Sequence, residues 1–356
     1  MTADVSTPPP ASSLRASRLT ARTLPRTALY GAAVGAVAVT FLLFAVTPLQ
    51  GVADFLVAAA IVVVATVTGL TLAVEGRRRA VDRLATSGAL LALVLTLLPL
   101  GFTLGYTLYR GAKRLTGNFL THSMAGVGPL SANGGVYHAI IGTLEQVLLA
   151  SLIAVPLGLL VAIYVTEYGR NVFGTAIRFL IDVMTGIPSI VAGLFVLAFW
   201  VLALHKGFSG FAGSLALAIL ELPIVVRSAE EMIRLVPAAL REASYALGVP
   251  KWKTILHIVL PTAATGITTG VMLAIARVTG ETAPVLLVVG NNNFIHTNPF
   301  KGPQASLPLY VFQGAGSSSN LDVDRAWAAA LTLILIVVVL YVAARLLTRR
   351  NSLARR

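Results

Sequence analysis

Runs of about 20 almost uncharged, apolar residues recur along this 356-residue chain and constrain its fold more than any other feature. Hydrocarbon offers no water to backbone N–H and C=O groups, so such runs persist there as helices, whose hydrogen bonds are internal. At a rise of about 1.5 Å per residue, about 20 residues cross about 30 Å of hydrocarbon. The runs fall at residues 28–48, 54–74, 87–109, 139–165, 181–204, 211–226, 266–289 and 326–347. They predict an all-α integral membrane protein, a polytopic bundle of about eight transmembrane helices. The first two runs make a hairpin through a short uncharged turn. The fourth is long enough to tilt, with Pro156 placed to kink it, and Pro223 is expected to break the short sixth run near one end. Charged residues make up only 12% of the chain, where soluble domains carry about 25%.

The distribution of cations sets the orientation, because short cytoplasmic segments collect Lys and Arg. With the amino terminus inside, the inner face gains Arg15 to Arg26, Arg77, Arg78, Arg79, Arg83, Arg170, Arg178, Arg227, Arg234, Arg241, Lys251, Lys253 and the arginines beyond 344. The outer face receives only Arg110, Lys113, Arg114, Lys206, Lys301 and Arg325, and Arg277 alone falls inside a span. Both termini are therefore predicted to be cytoplasmic. The net charge of +13 is explained by this topology. The cations are spread over every inner loop without an aromatic platform, which argues against nucleic acid as a partner. Cysteine is absent, which excludes disulfides, thiol catalysis and zinc–thiolate sites. The five His residues form no metal-spacing motif, and His122, His138, His205 and His296 read as ordinary solvated residues near the outer face. No Gly-x-x-x-x-Gly-Lys-Ser/Thr loop occurs, so ATP has no phosphate cradle in this chain.

Four regions follow. Residues 1–26, rich in Pro, Ser, Thr and Arg, predict a disordered cytoplasmic tail. Residues 27–84 hold the extra amino-terminal hairpin and a basic loop, residues 85–348 the main transmembrane domain, and residues 349–356 a basic cytoplasmic tail. Within the main domain, residues 227–261 form a polar, basic segment between two spans that must lie in water. Its grammar is helical: residues 234–247 suit a helix, Gly248 permits a left-handed stop, and Pro250 suits the first position of a second helix through Ile258. Small Ala243, Ser244 and Ala246 would let a partner approach closely, Glu242 offers a charge, and Trp252 a large amphipathic anchor. The plainer alternative is an amphipathic helix resting on the membrane surface.

Glu242-Ala243-Ser244, then Gly248, then Ile258-x-Leu260-Pro261, is similar to the EAA loop of ABC-importer permeases, with Ser244 in place of the usual second Ala. In that family the loop forms the coupling helix that docks on a cytoplasmic ATPase. Three further stretches narrow the likeness: residues 186–195 (GIPSIVAGLF), Pro223-Ile224-Val225-Val226-Arg227, and residues 273–284 (LAIARVTGETAP). With residues 243–253 they resemble the PstA-type permeases of phosphate ABC importers, from about Arg83 to the carboxyl end. The resemblance implies a type I importer permease in a bacterial cell membrane, not itself an enzyme. It implies a second, PstC-like permease, a dimeric PstB-like ATPase holding ATP and Mg, and an extracytoplasmic PstS-like phosphate-binding protein. No cofactor is expected on this chain. The competing readings are a permease for another oxyanion, sulfate or molybdate, and a secondary carrier, which would be expected to show internal repeats that are not evident here.

The charge of Arg277 agrees with an anion pathway. An Arg at mid-bilayer costs about 2.5–3.5 kcal/mol on insertion scales, so it should face protein or water. Its guanidinium matches phosphate oxygens bidentately, and Glu281, four residues on, is expected on the same helical face to hold it when the site is empty. The alternative is a purely structural pair. Arg227 is the second pathway candidate, with snorkelling as its plainer role, and Thr282 and Thr279 offer hydroxyls. Glu145 and Glu221 are intramembrane acids without an assignable partner, Asp182 reads as a helix-start residue, and Gly186 and Gly193 as close-packing positions.

Overall fold

The computed structural model describes residues 24–46, 51–128, 131–169 and 171–353, and every regular element among them is helical. Most of the expected disordered tail, the turn at 47–50, Arg170 and residues 354–356 lie outside the described residues. The chain forms two compact units, Met1–Thr103 and Leu104–Arg356.

In the first unit α1 (Arg26–Val46) and α2 (Val52–Glu75) form the expected hairpin, with Phe55 edge-on to Phe41 and Phe44 at 6.4 and 5.3 Å between centroids. A single residue, Gly76 at φ +89°, separates α2 from α3 (Arg77–Ala112). The basic loop expected up to residue 84 is thus helical instead. Arg has high helix propensity, and a 36-residue helix, about 54 Å long, exceeds the hydrocarbon thickness and keeps turns to spare for water. The boundary between the units falls within α3.

The second unit, in which the short α4 (Gly117–Thr121) follows α3, is built around α8 (Gly210–Arg234), which packs on α5 (Tyr137–Ile163) and on α11 (Leu260–Thr279). A wide π turn extends α5 to Tyr168. Ala150, Ala154, Ala212 and Ala216 are almost completely buried in this core, together with Val285 and Val288. Lipid supplies no hydrophobic drive between helices, so close approach of small residues takes its place. Gly142 makes the tightest approach to backbone among the described glycines: a Cβ there would lie 2.0 Å from the carbonyl oxygen of Ala305. Gly142→Ala must therefore displace backbone, at a cost of about 1–3 kcal/mol. The expected result is a fall of several degrees in the Tm of the solubilised protein, and an unchanged Tm would contradict this packing.

Seven described helices are long and apolar enough to span, and one further pair qualifies as a bent span, which accounts for the expected eight. Three spans differ in detail from their sequence reading. The fifth begins earlier and is broken: α6 (Val172–Thr185) meets α7 (Ser189–Val196, extended by a π stretch to Ala203) at 104°. Pro188 has no N–H to donate and disfavours the helical region at Ile187, so the chain turns there. The sixth is not broken at Pro223 but runs 25 residues through it to Arg234, because buried neighbours hold the helix where one bond is lost. The seventh starts at Lys251 as α10 (Lys251–Thr254), passes a π turn into α11, and stops at Thr279. After Gly280 to Thr282 the chain restarts as α12 (Ala283–Val288). Beyond α13 (Leu307–Ala315) the last span, α14, runs Asn320–Leu353.

Candidate functional site

The breaks in the fifth and seventh spans face one cavity of about 250 Å³, lined by Pro188, Ser189, Pro223, Arg277 and Glu281 among others. Pro223 stands near the middle of α8, so the cavity lies half-way along that helix. Gly193 lets α7 lie against α12, since a Cβ there would meet Pro284 Cα at 2.8 Å. The close-packing role expected of Gly186 and Gly193 holds at Gly193, whereas a Cβ at Gly186 would meet only the Val183 and Asp182 carbonyls of its own turn at 3.5 and 4.0 Å. Ser189 opens α7 on the cavity wall, where backbone N–H groups without intrahelical acceptors add positive potential.

Arg277 lies in the last turn of α11, its side chain 68% exposed, with Nε 4.0 Å from Glu281 Oε1. Glu281 is not on the same helical face, as its spacing suggested, because the helix ends before it. It reaches back from the loop after Gly280. The pair sits at the limit of ion-pair distance, and the guanidinium keeps most of its donors free for another anion. Thr282 precedes α12 and makes no capping bond with its side chain. Thr279 is buried and donates to the Ile275 carbonyl, the self-bonding role that competes with a pathway role.

Arg227 lies one turn beyond Pro223 on α8 and outside the cavity lining. It pairs with Asp182 and, at 3.2 Å, with Glu230. Asp182 therefore closes the end of α6 on α8, and does not start a helix. Glu230 is almost fully buried and also meets Arg234 at 2.5 Å and Arg178 at 3.7 Å. The sequence reading missed this cluster, although Arg227, Glu230 and Arg234 sit at helical i,i+3 and i,i+4 spacing. Among the described residues neither Glu145 nor Glu221 pairs with an arginine. Glu145 accepts from Gln304 at 2.5 Å, and Glu221, with no exposed surface, accepts from Ser151 at 2.9 Å. His138 is buried against Tyr310 rather than solvated.

The polar segment between the sixth and seventh spans forms an elbow. Arg234 ends α8, Pro237 interrupts the single helix expected over residues 234–247, and α9 (Ala238–Ala246) is its first arm. Gly248 makes the turn at φ +74°, and Pro250 precedes α10, whose helix continues to Thr279 instead of ending at Ile258. Glu242 and Ala243 are exposed on α9, Leu247 is 83% exposed and Trp252 53%. Ser244 is turned inward, against expectation for a contact residue: it is buried, and its hydroxyl lies 2.8 Å from that of Thr254. A Ser in place of Ala at this position thus joins the two arms of the elbow.

A multi-pass bundle whose broken helices enclose a cavity with an exposed arginine, and an elbow between two spans, defines a membrane permease. Residues 154–353 match the family described as the binding-protein-dependent transport system inner membrane component. The phosphate transport system permease protein PstA 1 of Mycobacterium tuberculosis is 48% identical over 282 residues, covering 78% of this chain and 92% of that protein. The protein of the same system named PstA in Yersinia pestis is 44% identical over 220 residues, covering 62% of this chain and 74% of its own. The crystal structure of a bacterial ABC transporter involved in the import of the acidic polysaccharide alginate aligns with a TM-score of 0.51 at 16% identity, over 76% of this chain and 99% of that one. That likeness concerns the fold, which is the type I importer permease. The chain belongs to the binding-protein-dependent transport permease family, among its PstA-type members.

Proposed function

We propose that this chain is one permease half of an ATP-driven phosphate importer in the bacterial inner membrane, with both termini in the cytoplasm. Its partners are a second, homologous permease, a dimeric cytoplasmic ATPase that holds the ATP and Mg, and an extracytoplasmic phosphate-binding protein. The chain binds no cofactor and breaks no covalent bond. The observation that carries the reading is Arg277, exposed in a cavity where two spans are broken and only loosely held by Glu281. Phosphate would displace the weak 4.0 Å pairing and take the guanidinium bidentately. Glu281 would accept a hydrogen bond from the P–OH group that protonated phosphate carries and sulfate lacks. Arg227, one turn further towards the cytoplasm, would receive the anion next, and Thr282 would offer its hydroxyl. The arms of the elbow carry Glu242, Ala243, Gly248 and Trp252 to the ATPase surface, while Ser244 fixes the angle between them.

Phosphate, delivered by its binding protein, should stimulate ATP hydrolysis by the reconstituted four-component assembly, and a large excess of sulfate should leave labelled phosphate uptake unchanged. Competition by sulfate would move the assignment to the wider oxyanion class. Uptake by the purified chain alone on an ion gradient would replace it with a secondary carrier.

A further inference from the structure

Arg241 stands just before the exposed Glu242 but is turned the other way, and its side chain is only 18% exposed. Its Nε and Nη2 donate to one carboxylate oxygen of Glu167 at 3.2 and 3.0 Å. Nη1 donates to the Val236 carbonyl at 2.6 Å and Nη2 to the Ile233 carbonyl at 2.9 Å. Glu167, with 8% of its side chain exposed, belongs to the π turn that closes the fourth span. Ile233 lies in the last turn of α8, and Val236 in the break before α9. One guanidinium thus ties the root of the elbow to the ends of two spans.

A second tie comes from the other arm. The Lys251 ammonium donates to the backbone carbonyl of Glu167 and lies 4.4 Å from the centre of the Tyr168 ring. Glu167 and Tyr168 are therefore gripped from both sides of the elbow, whose arms are joined by Ser244 and Thr254. The far end of the same span is fastened as firmly. Thr143 accepts from the Leu307 N–H at 2.7 Å, and Gln146 donates to Gln304 at 3.0 Å and to the Ala305 carbonyl at 3.2 Å. Between the two ends runs a continuous 32-residue helix.

We infer that the Arg241–Glu167 clamp is the joint through which a push on the elbow reaches the fourth span, and through that span the outer loop before α13. The inference rests on the elbow being the ATPase docking segment. Packed helices are nearly incompressible, so a span fixed at both ends carries displacement from one face to the other. Arg241 and Glu167 are positioning residues: they act through the elbow and the fourth span, and they set how much of each ATPase stroke becomes movement.

The readout is phosphate moved per ATP hydrolysed, measured on the full assembly in liposomes. Glu167→Gln leaves Arg241 its two backbone carbonyls and weakens only the charged contact. The ratio should fall about tenfold, while the ATPase stays bound and its rate stays near wild type. Because the chain has no native cysteine, Glu167→Cys combined with Arg241→Cys can be bridged by a short bifunctional thiol reagent, which should restore the ratio. An unchanged ratio in Glu167→Gln, loss of the ATPase from that variant, or failure of the bridge to restore transport overturns the clamp. Absence of ATP-driven uptake in the wild-type assembly overturns the importer assignment and the clamp with it.

Discussion

Arg277→Ala should abolish phosphate uptake while the permease still assembles with its partners. Charge-assisted hydrogen bonds contribute about 1.5–3 kcal/mol each, and losing a bidentate pair at about 1.4 kcal/mol per tenfold lowers uptake by about 100-fold or more. The fold should tolerate the change. The side chain is 68% exposed and its one ion pair is 4.0 Å long, so little native structure is lost, and the insertion cost of a mid-bilayer arginine disappears. Arg277→Lys should fall between the two, because an ammonium keeps the charge without the two-pronged geometry. Labelled phosphate uptake, with co-purification of the ATPase as the assembly control, separates the outcomes. Uptake near wild type in Arg277→Ala would remove this residue from the pathway.

Glu242→Arg should release the ATPase and stop transport, although substrate still reaches the outer face. Glu242 is exposed on the first arm of the elbow, beside Ala243 and near the exposed Leu247 and Trp252. A patch of this kind exposes more apolar surface than a water-facing turn needs, and it suits an interface core with one specifying charge. Reversing that charge sets like against like, which costs several kcal/mol at an interface. Purification of the variant should bring down the second permease without the ATPase. Normal co-purification of the ATPase would count against docking at Glu242.

The spans were legible in the sequence because lipid imposes a single solution on long apolar runs, and the elbow because Gly248 and Pro250 punctuate it locally. What escaped was decided by tertiary contact. Pro188 and Pro223 are the same residue type in similar apolar surroundings, yet the first bends its span by 104° and the second is absorbed within α8. Local sequence does not distinguish them: both line the same cavity, and α8 continues through Pro223 because it is packed between α5 and α11. Arg277 and Glu281 were visible as a charged pair, but the stop at Thr279 that takes Glu281 off the helix was not. Ser244 looked like a surface residue by its size and proved to be the link between the arms. The pairs Glu167–Arg241 and Glu145–Gln304 span 74 and 159 residues of sequence, beyond any local pattern.

The most direct test of the lever is a contact made from the elbow itself. A photoreactive thiol reagent at Leu247→Cys, in a chain with no other cysteine, reports what covers that position in the assembled transporter. The covalent adduct should be with the ATPase subunit; an adduct with phospholipid alone would contradict the coupling mechanism.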